Sequence, residues 1–205
     1  IKDNPDNDAA HSLKGVIYSA QQRKEQAKAA FERALEINPR QITSLLGLAG
    51  LAAEEKQPRK QLEHLQKALT IDPNRQSVLN GLREFAEAES AHQEILALLQ
   101  STSPDKPHNL LTTIATLQRF VGDTKGAIQT MLTIPEESRT ATDLIFLGDS
   151  YLRDRDLRNA GRTFKQLLEA NPENPVALLR NIGILETERR YSDALRLADK
   201  GRSLK

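Results

Sequence analysis

Four histidines, His11, His64, His92 and His108, are the side chains of this 205-residue chain best suited to proton transfer or metal binding. Their spacing supports neither. No two of them stand four residues apart, as a pair on one helix face must to share a metal, and no HExxH is present. His64 beside Glu63, and His92 near Glu94, belong to helical segments in which immediate neighbours point to different faces. With no cysteine there is no disulfide framework, thiolate zinc site, iron–sulfur cluster or Cys nucleophile. Gly122-Asp123-Thr124-Lys125-Gly126 superficially suits a phosphate, but Gly-Asp between two helical stretches is ordinary turn chemistry. Gly-x-Ser-x-Gly and Gly-x-Gly-x-x-Gly are absent. The reading is a non-enzyme with no catalytic residue, cofactor or metal.

Charge and aromatic content narrow the partners. Twenty-nine Lys and Arg against 28 Asp and Glu leave a net charge of +1, too little to attract a phosphate backbone or an anionic membrane in general. The longest apolar run, Ile42 to Ala53, is broken by Thr, Ser and Gly and is shorter than the roughly 18 residues a membrane span needs. Neither nucleic acid nor direct membrane insertion is expected. The chain opens on polar Ile1-Lys2-Asp3-Asn4-Pro5 without Met, so it is read as a piece of a longer protein.

These residues must be positioned by helices. Leu and Ala with Glu, Lys, Arg and Gln are the good helix formers. Pro5, Pro39 and Pro73 are spaced by 34 residues and again by 34, and the contexts Ala34-Leu35-Glu36-Ile37-Asn38-Pro39 and Ala68-Leu69-Thr70-Ile71-Asp72-Pro73 are nearly the same. Leu168-Glu169-Ala170-Asn171-Pro172 is a third copy. Each Pro ends a helix, since it lacks the N–H and pushes its predecessor out of the α region. Between prolines lie two amphipathic stretches, about Ala9 to Gln21 and Lys24 to Ile37 in the first unit.

The slots within these units resemble the tetratricopeptide repeat, a 34-residue helix–turn–helix. In the first unit they read Gly15, Tyr18, Ala27, Phe31, Ala34 and Pro39, and in the fifth Gly148, Tyr151, Ala160, Phe164, Leu167 and Pro172. The second keeps Leu45, Leu48, Ala49, Leu65, Ala68 and Pro73. Small residues at the crossings let helices approach, leaving room for an aromatic ring. The resemblance implies an all-α, right-handed superhelical solenoid of about six units and 12 helices. Those units run approximately 8–41, 42–75, 76–107, 108–140, 141–174 and 175–205, all in one solenoid. Tyr18, Tyr151, Tyr191, Phe31 and Phe164 are assigned to packing slots, which leaves Phe120 as the aromatic available for stacking.

Departures from the pattern cluster between residues 87 and 140, where a bend or altered pitch is expected. Ala91, Ile95 and Leu98 fit a second helix only if the preceding turn is about four residues short. Ser101 to Pro107 reads as an irregular connection, and Pro135 should stop a helix early, with Thr140 or Thr142 capping the next.

The family's concave groove is lined by recurring first-helix positions. Carried over, these are Ser12, Val16, Ser19, Leu46 and Gly50, and then, as the partner-binding set, Asn80, Glu84, Glu87, Asn109, Thr112, Thr116, Arg119, Asp149 and Arg153, with Ile145 beside them. The basic clamp that chaperone-binding members use for a partner's C-terminus is not reproduced by Ser12, Val16, Leu46 and Asn80. The resemblance therefore implies a protein-interaction scaffold that takes an extended segment or a folded surface. Leu13-Lys14-Gly15, the short third unit and Asn171-Pro172-Glu173-Asn174-Pro175 are also similar to bacterial repeat proteins of exopolysaccharide secretion and the related PEP-CTERM system. That likeness implies a periplasmic scaffold. A cytoplasmic adaptor, and a polysaccharide-binding module resting on Phe120 and Arg119, are the alternatives.

Overall fold

The structure, a computed structural model, describes residues 7–203, so the unit end expected at Pro5 lies outside the described residues. Among those residues it is all-helical, with twelve α-helices joined by short turns. They run α1 (Asp8–Ala20), α2 (Lys24–Ile37), α3 (Ile42–Glu54), α4 (Pro58–Ile71), α5 (Gln76–Ala88), α6 (His92–Ser101), α7 (His108–Phe120), α8 (Thr124–Leu132), α9 (Ala141–Arg153), α10 (Leu157–Ala170), α11 (Pro175–Thr187) and α12 (Tyr191–Ser203). The fold is an α-solenoid of about six helix–turn–helix units. Contacts group the chain into two compact units, one ending at Thr113 and the other beginning at Ile114. In the first, α1 packs on α2, α2 on α3, α3 on α4 and α4 on α5. In the second the order continues from α8 through α12.

The turn inside each pair has one chemistry. Gln22, Lys56, Ser90, Gly122, Arg155 and Arg189 all take positive φ, between 55° and 90°. The residue that follows donates its N–H to the carbonyl five residues back: Arg23 to Tyr18, Gln57 to Ala52, Ala91 to Ala86, Asp123 to Gln118, Asp156 to Tyr151 and Arg190 to Leu185, at 2.8–2.9 Å. This six-to-one bond closes a helix C-terminus with a left-handed residue. Gly122 is the only one of the six positions filled by the residue type that suits it.

The turn between pairs also repeats. Asn38, Asp72 and Asn171 each follow the last residue of a second helix, and each side-chain oxygen accepts the N–H two residues on, from Arg40, Asn74 and Glu173 at 3.0–3.2 Å. The Asx turn wraps over the proline that the spacing singled out, which is why Asn or Asp precedes Pro in all three copies.

Phe31 and Phe164 are the pivots of the core, at 1% and 0% exposure. A methyl placed on Gly15 would lie 2.5 Å from Phe31, and one on Gly148 would lie 2.5 Å from Phe164, so both glycines serve close approach. Gly47, on the first helix of the next pair, closes on the other side of Phe31. Around the second ring gather Leu144, Ala160, Leu167, Ala177 and Ile184. Ala27, Ala34, Ala68 and Ala160 are fully buried at the crossings, and Tyr18 and Tyr151 are half-buried against the two clusters.

Three sequence expectations change. The turn of the third pair is not short: residues 89–91 match the three-residue turns elsewhere, and α6 itself is truncated to 10 residues against 14 for α2, α4 and α10. Ile95 and Leu99, both fully buried, therefore fill the slots assigned to Ala91 and Ile95. Tyr191 is not a packing residue. It is the first residue of α12, the place Lys24 has in α2, one turn before the slot that the buried Ala194 fills, and is 61% exposed. Finally, Ser12 is 3% exposed and does not reach a surface.

The region 87–140 is irregular through its second helices. α8 is nine residues long; Ile134 and Pro135 follow it, then a 3-10 turn, Glu136–Ser138. Arg139 reaches back with Nε donating to the Ile134 carbonyl at 3.0 Å and Nη2 to that of Leu132 at 3.3 Å, so it satisfies carbonyls left over at the helix end. Thr140, not Thr142, caps α9 in a reciprocal capping box with Asp143.

Candidate interaction surface

In the first unit, four of the residues assigned to the groove meet. Leu46 and Gly50 on α3, with Asn80 and Glu84 on α5, line one hollow of about 390 Å³. Ala49, Ala53 and Leu65 make its walls apolar, while Gln61 and Ser77 add polar rim. Asn80 is steadied by Gln76, whose Nε2 donates to its Oδ1 at 2.9 Å. Glu87, exposed on α5, lies one turn beyond Glu84 and does not line the hollow. Gly50 meets nothing within 4 Å of a built-in methyl, so the floor is open.

Asn109 and Thr112, at the start of α7, have local duties. The Asn109 N–H donates to Asn74 Oδ1 at 3.1 Å and its Nδ2 to the Asn74 carbonyl at 3.0 Å. This stitches α7 to the turn after α4. The Thr112 hydroxyl donates to the Asn109 carbonyl at 3.0 Å, a bond within its own helix.

The second unit brings together a charged set. Arg119, near the end of α7, lies over the Phe146 ring of α9, its guanidinium carbon 4.0 Å from the centroid. Such a contact holds a cation over the electron-rich ring face. Partial burial pushes the Arg119 pKa below its ordinary value, Asp149 opposes that shift, and Arg153 adds to it. Asp149 on α9 also accepts from Arg180 of α11, at 2.7 Å to Nε and 3.4 Å to Nη2. Arg153 is exposed at the end of α9, Thr116 is half-buried on α7, and Phe120 is 65% exposed beside Arg119. The result is a face with cations at Arg119, Arg153 and Arg180 organised about one carboxylate.

Phe146 and Arg180 belong to this set and were missed by carrying over groove positions. Both are the sixth residue of their first helices. In the second and third pairs that place is Gly47 and Gly81, which admit Phe31 and Leu65 from the preceding pair, while the first and fourth pairs have Leu13 and Thr113 there. The change from glycine to Phe and Arg at one register position was the signal available in the sequence.

The histidines do not converge. Among the described residues no three His, Asp or Glu side chains gather as a metal site. His64 is half-buried between pairs, where burial holds its pKa below the ordinary 6.5. No described helix is long and apolar enough to cross a membrane.

Comparison with known proteins agrees with this architecture. Residues 9–41 match one family model described as tetratricopeptide repeat, and residues 147–202 match another. Cellulose synthase operon protein C of Pseudomonas fluorescens (strain SBW25) is 28% identical over 170 residues, covering 76% of this chain and 13% of the relative. Protein CTR9 homolog of Arabidopsis thaliana is 26% identical over 178 residues, covering 80% of this chain and 16% of the relative. The chain thus spans less than a fifth of these curated relatives. Among solved structures, PilF of Pseudomonas aeruginosa shares the fold with a TM-score of 0.58 at 21% identity, covering 97% of this chain and 90% of that one.

Proposed function

Because the chain belongs to the tetratricopeptide repeat family, matched at residues 9–41 and 147–202, we propose that it recruits protein partners to a bacterial envelope machine for exopolysaccharide secretion. Repeats of this family mark a protein-interaction scaffold. The observation behind a binding role here is the clustering of first-helix side chains into built surfaces. In one unit Leu46, Gly50, Asn80 and Glu84 share a hollow, and in the other Arg119, Asp149 and Arg153 share a charged face ordered by Phe146 and Arg180. A hollow with apolar walls and a polar rim suits an extended peptide with small apolar side chains. The charged face suits a partner that brings acids to Arg119 and Arg153 and a base to Asp149.

The pathway rests on one relative, whose name places it in a cellulose synthase operon. On this reading the chain works in the periplasm and contacts polymer-modifying or export proteins rather than the polymer. Affinity capture from native extract, with the 205-residue chain as bait, is expected to return envelope proteins that act on or export polysaccharide. Recovery of cytosolic assembly factors alone would sink the envelope assignment and favour the adaptor.

A further inference from the structure

A cleft of about 640 Å³ lies in the second unit among α10, α11 and α12, and none of its lining residues is a groove position. Its floor is aliphatic, with Leu168, Ile184 and Leu197 partly or fully buried. Along one wall Arg158, Arg162 and Lys165 project from α10, all exposed, and Arg190 stands across from them. The spacing 158, 162, 165 is i, i+4, i+7, so these three cations form a single row along the helix.

The chain neutralises that row only in part: Asp156, at the cap of α10, attracts Arg158 and Arg162 without pairing directly with either. Arg190 is already committed to Glu188 at 3.2 Å and Asp193 at 2.8 Å, and Lys165 reaches Glu169 only at 3.8 Å with both side chains exposed. Neither Arg158 nor Arg162 forms an ion pair within 4 Å among the described residues. Glu188 is the one acid among the lining residues, against four bases. The chain as a whole is close to neutral, which makes the excess a property of this wall.

We infer that this cleft docks an acidic amphipathic helix of a partner protein, with apolar side chains on the floor of Leu168, Ile184 and Leu197 and carboxylates along Arg158, Arg162 and Lys165. Charge complementarity and the aliphatic floor select that occupant. Leu157 to Leu168 spans about 16 Å of helix, enough for about three turns of a bound helix. An anionic polysaccharide or a nucleic acid would use the cations but has nothing to place on leucine, and no aromatic residue lines the cleft as a stacking platform. This docking is separate from binding at the first-helix face.

The test uses a fluorescein-labelled synthetic peptide of about 14 residues, with Leu at i, i+4, i+7 and i+11 and Glu on the flanking rows, spaced to the helical period. Its anisotropy is followed on titration with the 205-residue chain. Saturable binding is expected, weakened about tenfold or more when salt rises from about 50 to about 500 mM. Arg158→Glu with Arg162→Glu should weaken it about tenfold with an unchanged thermal midpoint, since both side chains are exposed, while Arg119→Glu with Arg153→Glu should leave it intact. The inference is overturned if the peptide does not saturate, or if replacing every Glu by Gln leaves affinity unchanged. It is equally overturned if polyglutamate or a polyuronate competes as well as the unlabelled peptide, or if only the Arg119 and Arg153 pair abolishes binding.

Discussion

Phe31 and Phe164 show how single residues set the spacing of the helices. Each ring lies where a glycine has removed its own side chain, so the pair of residues acts as one unit of packing. Gly148→Val should force the ring or the helix to move and lower stability by about 1–3 kcal/mol. Phe164→Ala should lower it by about 3–5 kcal/mol through the cavity left behind. Chemical denaturation of both variants checks this; a neutral Gly148→Val would mean that the crossing is looser than the structure has it.

His64 supplies a pH dependence at the same scale. Burial is the largest influence on it, adding to repulsion from Lys67 and Lys60, and together they outweigh the attraction of Glu63 and Glu32, so its folded pKa lies below 6.5. The folded state then resists protonation more than the unfolded chain does. Its contribution is present above pH 6.5 and is lost as pH falls through the lowered folded value. Thermal midpoints measured at falling pH should drop less in His64→Gln than in the parent over that window. Equal slopes for the two proteins would remove His64 as a source of the dependence.

At the scale of elements, six turns share one backbone conformation, but only Gly122 meets it with glycine. A non-glycine residue with a left-handed backbone costs about 1–2 kcal/mol, partly offset by the extra freedom glycine has when unfolded. Gly122→Ala is therefore expected to destabilise by about 1 kcal/mol, whereas Lys56→Gly should be neutral to stabilising by up to about 1 kcal/mol. Denaturation midpoints moving in the opposite directions would contradict the turn assignment.

The same elements show what could be read in advance. Proline spacing and the Gly, Tyr, Ala and Phe slots placed the first two pairs and the fifth, because crossings that must be small and helix ends that cannot continue leave few residue choices. The third pair misled because its second helix ends at Ser101 after only 10 residues. Ile95 and Leu99 fill their slots although neither is Ala nor Phe, and the slot of the closing Ala falls on Thr102, just past the end of the helix, although Pro107 keeps the proline spacing. The left-handed turns went unread for a related reason: Gln22, Lys56, Ser90, Arg155 and Arg189 tolerate a conformation that their types do not advertise.

For the whole molecule, a scaffold is expected to keep its surfaces separate from the residues that hold it together. The structure largely does so. In the partner-binding set, Glu84, Arg119, Asp149 and Arg153 sit on built faces, while Asn109 and Thr112 are engaged in starting α7. Register alone could identify candidate face positions but not this difference, because the Asn109 bonds go to Asn74, a residue 35 positions away. Nor could it show Phe146 and Arg180 joining the charged face, which depends on what the preceding pair leaves uncovered.

On the proposed function, the second unit's first-helix face, organised by Arg119, Asp149 and Arg153, binds a protein partner. The direct measurement is the dissociation constant of a captured partner for the parent chain and for Arg119→Glu with Arg153→Glu. Both arginines are at least partly solvent-exposed, so the double variant should fold with unchanged helicity by circular dichroism and bind about tenfold or more weakly. A folded double variant that binds the partner with the parent's affinity would contradict the account.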